Sequence, residues 1–183
     1  SIIGTFQAVC LTAGVYVVYM ERPLALVHAD GYFMSMSAGD YREAGVPVPE
    51  LDGFPGPWPK RLVVDLPDDP AKQAEIRRSA LQQRTPLRTL ASYYVPYDAE
   101  LLAIERDALS EDTLEKREAA TGDLTAWTEE HGGSVNDYAF FPFGARYGFL
   151  ILGIERDSGQ IVGLLNTELS RKPAADSASD PGS

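Results

Sequence analysis

The sequence predicts an α+β fold, and three features carry that prediction. The region 138–166 reads as consecutive strands closed by a hairpin turn, the middle of the chain reads as several capped helices, and a second β run follows residue 23. With 183 residues, 44% of them hydrophobic and 23% charged, the chain is long enough for one domain with a sizeable core. A formal net charge of −11 with no basic stripe excludes a phosphate-binding surface, so no nucleic acid partner is expected. One cysteine, Cys10, cannot form an intramolecular disulfide and leaves the redox compartment open.

Residues 1–20 carry no charge. Their length matches the roughly 20 residues that cross a bilayer, yet they include Gly4, Thr5, Gln7, Thr12 and Gly14. Tyr16 and Tyr19 fit an interfacial aromatic belt, Glu21 and Arg22 fit the water side, and Pro23 ends an easy helix. The β-branched run through Val15, Val17 and Val18 fits a buried strand or core helix as well. On the residues alone both readings stand. The chain opens on Ser1 rather than Met, so an upstream portion is expected.

Leu24 to Met36 reads as β structure, with Asp30-Gly31 able to turn a hairpin or kink a strand. Between Gly45 and Lys60, prolines at 47, 49, 55, 57 and 59 exclude a regular helix and predict a long extended connection, pinned to the body by Phe54 and Trp58. Arg61 to Leu66 is a short apolar strand; Asp69 as N-cap and Pro70 at the first helical position then start a helix running to Gln83. Tyr94 to Tyr97 is extended, and Asp98 caps an apolar stripe of Leu101, Leu102, Ile104, Ala108 and Leu109. Ser110, Glu111 and Asp112 start another helix, and a last one from Asp123 to His131 stops at Gly132-Gly133. Tyr138–Phe143, Arg146–Glu155 and Gln160–Asn166 are strands, the last two joined by Arg156-Asp157-Ser158-Gly159. The middle strand is apolar on both faces and therefore belongs inside the sheet, covered by helices. After Leu169 no large apolar residue remains, which predicts a disordered tail over 170–183.

No catalytic set emerges. His28 and His131 lie in different elements without a second ligand at metal spacing, and no nucleophile elbow, P-loop or dinucleotide fingerprint precedes a helix. The acid pairs Asp68/Asp69, Glu111/Asp112 and Glu129/Glu130 flank helix ends and read as solvated charge. Neither a metal nor a cofactor is expected, and the chain does not read as an enzyme.

Taken in order, several short stretches form a family pattern. These are the apolar opening with tyrosines before Arg22-Pro23, Lys60-Arg61-Leu62-Val63 leading to Leu66-Pro67 and Asp69-Pro70, then Tyr94-Val95-Pro96-Tyr97, and the closing run from Glu155 to Gly163. Over about Leu11 to Leu169 the chain resembles the TfpX/TfpZ (FimB-like) family of type IV pilin accessory proteins. The resemblance implies an inner-membrane protein with several N-terminal spans and a soluble domain in the periplasm, of which this chain would hold the last span. The expected fold then becomes an N-terminal transmembrane helix over 1–22, followed over 23–169 by a mainly antiparallel sheet packed with several helices. The implied role is non-enzymatic assistance to the major type IV pilin, in its stability or in pilus assembly. Arg22, Pro23, Phe54 and Trp58, with Tyr94, Pro96 and Tyr97 as a second group, are the candidate partner-binding residues. The competing expectation is a periplasmic enzyme or small-ligand-binding domain with a pocket beside the C-terminal hairpin.

Overall fold

A computed structural model of the chain describes residues 18, 21–99, 104–145 and 148–166. Its centre is one seven-stranded sheet in the order β4-β3-β1-β2-β5-β6-β7. The chain enters through β1 (Pro23–Ala29) and returns through β2 (Tyr32–Ser37). Asp30 and Gly31, with φ of 53° and 84°, supply the two positive-φ residues that a tight Asp-Gly hairpin turn demands. Ser37 then caps α1 (Ala38–Glu43) in a reciprocal box with Asp40.

The connection across 44–59 leads to β3 (Lys60–Val64), which lies parallel to β1. Asp69 accepts a hydrogen bond from the Ala71 amide and Pro70 opens α2 (Pro70–Gln82). Two 3-10 turns then feed β4 (Tyr94–Pro96), antiparallel to β3. Ser110 caps α3 (Glu111–Thr121), which ends on left-handed Gly122, and α4 (Asp123–His131) follows directly. Glu118, near the end of α3, accepts from the Leu124 and Thr125 amides, so one helix supplies the N-terminal cap of the next. The described residues end with β5 (Tyr138–Ala145), β6 (Gly148–Glu155) and β7 (Ile161–Asn166), with β6 antiparallel to both β5 and β7.

Period-two alternation sends apolar side chains to both faces. On one face Phe33, Val63, Phe141, Phe143, Leu152 and Ile154 pack beneath Tyr97, Ile104 and Ala108. The other face holds two clusters. Ala25, Val27, Met36 and Leu62 meet Tyr41 of α1 and Leu51 of the long connection, while Phe140, Ile151 and Leu165 meet Leu124 and Trp127. Burial on both sides explains why β6 reads as apolar at nearly every position.

The expected fold requires adjustment on two points. Four of the six strand pairings are antiparallel, as expected, but two are parallel, so the sheet is mixed. β1 pairs in parallel with β3 and β2 with β5, because the crossover through α1 and the long connection returns the chain beside β1 in the same direction. Nor does the structure bear out the expected transmembrane helix: among the described residues no helix is long and apolar enough to cross a membrane. The longest, α2, has 13 residues against the roughly 20 that a span needs. Most of the expected span, 1–17, 19 and 20, lies outside the described residues, as do Leu101 and Leu102 of the expected stripe and the expected tail over 170–183.

Candidate functional site

β1 and β3 run in parallel with Lys60 opposite Ala25. Whatever immediately precedes each strand therefore lies at one end of the sheet: Arg22 before β1 and Trp58 before β3. β4 runs the other way, so Pro96, opposite Leu62, and Tyr97 after it also head toward this end. The topology thus gathers Arg22, Pro23, Trp58, Pro96 and Tyr97, five of the seven candidate residues, from three separate stretches of the sequence.

Burial then separates them. Tyr97 is 1% exposed and belongs to the core over Phe33, their ring centroids 5.9 Å apart. Tyr94 is buried at the opposite end of β4, opposite Val64. Its hydroxyl donates to the Arg88 carbonyl and stands 2.7 Å from the Tyr41 hydroxyl, which therefore donates to it. Burial raises both phenols, that of Tyr41 to about 12, and Tyr94 well above the ordinary tyrosine range. The two tyrosines form a structural relay between α1 and β4. Phe54 is half-buried against the cluster around Tyr41, and Pro96 is half-buried within β4. What faces outward is Arg22, Pro23 and the run 55–59. Trp58 is 50% exposed. The expected pin is thus divided: Phe54 holds the connection to the body and Trp58 is presented.

Lys60 explains how the Pro-Gly-Pro-Trp-Pro run, which bends through residues 56–59 rather than running extended as expected, is held. The residue is 6% exposed, and its Nζ donates to the carbonyls of Phe54 at 2.8 Å and Gly56 at 2.7 Å. The same ammonium lies 5.3 Å from the Trp58 ring centroid, within cation–π range. Prolines at 55, 57 and 59 fix three φ angles and donate no amide hydrogen bond, so a side-chain donor must satisfy the loop's inward carbonyls. Sequence reasoning missed Lys60. Its signal was a lone cation opening an apolar strand immediately after a proline-rich run.

Beside the C-terminal hairpin, where a ligand pocket was the competing expectation, the indole of Trp127 lies on Gly153 and Gly163. A Cβ at Gly153 would fall 2.6 Å from Trp127 Cη2, and one at Gly163 would fall 3.0 Å from His131 Nε2. His131 stacks on the indole at 4.2 Å and its Nδ1 is 2.8 Å from the Trp127 carbonyl, so these rings occupy the space over one face of the hairpin.

On the other face the second histidine is buried. His28 is 3% exposed against Phe33 and Phe141, and its Nε2 is 3.7 Å from Asp107 Oδ2, beyond hydrogen-bonding distance. Desolvation lowers its pKa, opposed by the carboxylates of Asp107 and Asp30. Burial likewise raises the Tyr97 phenol, opposed by Arg61. Among the described residues, three or more His, Cys, Asp or Glu side chains nowhere converge as a metal-binding group. No family model, curated protein or solved structure matches the chain.

Proposed function

We propose that this domain is a non-enzymatic accessory to the major type IV pilin, acting on the periplasmic side of the bacterial inner membrane to support pilin stability or pilus assembly. It would grip the pilin through the Trp58 loop. The observation that carries this reading is the exposed indole of Trp58 on a proline-stiffened loop clamped by Lys60, at the sheet end where Arg22 and Pro23 also face outward. A large aromatic held rigidly in the open has already lost much of its conformational entropy, which suits it to anchor a protein interface. The family resemblance of the sequence supplies the identity of the partner.

The test is capture of pilin from membranes by the tagged full chain. The wild type retains pilin, Trp58→Ala loses most of it, and deletion of the protein lowers piliation. Pilin capture that never exceeds background, together with normal piliation in the deletion strain, would overturn the reading.

A further inference from the structure

The two edges of the sheet are treated differently. At one edge β4 has three residues and ends in Pro96, a short and proline-bearing edge of the kind that resists pairing with other chains. At the other edge β7 runs six residues, Ile-Val-Gly-Leu-Leu-Asn, without a charge or a proline. Among the described residues no strand pairs with its outer side. Leu164, in its middle, is 48% exposed, while the adjacent Leu165 is buried. An uncharged, apolar edge whose outer side pairs with no described strand is a template for another strand.

We propose that β7 is the interface between two copies of this chain, paired antiparallel about a two-fold axis through Leu164 and perpendicular to the sheet. The register follows from the faces. Leu164 lies opposite Leu152, whereas Gly163 and Leu165 lie opposite Gly153 and Ile151 and so share the other face. Centring on Leu164 keeps the faces matched across the axis. Leu164 meets its own symmetry mate and Gly163 meets the partner's Leu165, and the matched stretch ends at Val162, where a β-bulge interrupts the alternation and turns that side chain to the Trp127 face. Each exposed leucine gains an apolar neighbour directly across the strands, and the small Gly163 receives a large one. The chain carries a net charge of −11, which opposes self-association in general, yet Gln160 to Thr167 contains no charged residue. This edge therefore brings no like charges into opposition. An edge pairing with itself is isologous and closes at two copies.

Sedimentation of the full chain over the micromolar range tests this. The wild type passes from a 20.0 kDa monomer to twice that mass as concentration rises, and Leu164→Lys stays monomeric with an unchanged circular dichroism spectrum. In a Cys10→Ser background, Leu164→Cys oxidises to a covalent dimer, a readout independent of whether the lysine variant folds. A wild type that remains at 20.0 kDa overturns the proposal. So does a dimer that survives Leu164→Lys, one that fails to crosslink through Leu164→Cys, or dimerisation seen only after residues 167–183 are removed, which would assign the edge to the chain's own C-terminal segment.

Discussion

The Lys60 ammonium donates to the Gly56 carbonyl at 2.7 Å, closing a loop whose three prolines donate no amide hydrogen bond of their own. The same ammonium reaches the Phe54 carbonyl, so removing it leaves two inward carbonyls without that donor. Lys60→Met keeps the stem and removes the charge. We expect a loss of about 2 kcal/mol in urea unfolding, the scale of hydrogen bonds made by a charged donor, together with a shift in the fluorescence of Trp58.

Gly153 is required by the indole above it. A methyl group at that position would stand 2.6 Å from Trp127 Cη2, and the indole is itself buried, so it has little room to retreat. Gly153→Ala should destabilise the domain by about 1–3 kcal/mol through overpacking. Chemical denaturation measures this, and an unchanged midpoint would contradict the packing described here.

Tyr41 and Tyr94 act as one unit. The Tyr94 hydroxyl accepts from Tyr41 and donates to the Arg88 carbonyl, so Tyr94→Phe strands both neighbours, whereas Tyr41→Phe removes only a donor. Tyr94→Phe should therefore cost more, on the order of 1–3 kcal/mol for the unsatisfied buried groups. A double-mutant cycle should show that the two changes are not additive.

His28 sets a pH dependence with a definite sign. Its folded pKa lies below the ordinary value of 6.5 because burial disfavours the charged ring, with Asp107 and Asp30 only partly offsetting that effect. As pH falls through 6.5 the unfolded chain takes up the proton first, so this contribution to stability is complete above that pH and is lost below it. Unfolding midpoints should fall between neutral pH and pH about 5 in the wild type, and that slope should flatten in His28→Phe.

Local signals made much of the fold readable. Asp30-Gly31, Asp69-Pro70, Ser110 and Gly132 each act within a few residues, through turn or cap chemistry, and each marks a boundary near where it was expected. The parallel pairings of β1 with β3 and β2 with β5 were not readable, because nothing in either strand encodes a neighbour that arrives after a long crossover. The same limit applied to the candidate site. Tyr94, Tyr97, Phe54 and Trp58 are all aromatics within two residues of a proline and look alike in sequence. The hydroxyl relay through Tyr41, the packing of Tyr97 on Phe33 and the clamp from Lys60 separate the structural members from the presented one.

Pilin binding through the Trp58 loop is measured most directly by site-specific photocrosslinking in living cells, with the photoreactive side chain at position 58 and, for comparison, at position 81. Leu81 is 80% exposed on α2, whose Arg77 pairs with Asp30 at the opposite end of β1. A pilin adduct should form from position 58 and none from position 81. Equal capture from both positions, or a pilin adduct from position 81 alone, would rule out binding through this loop.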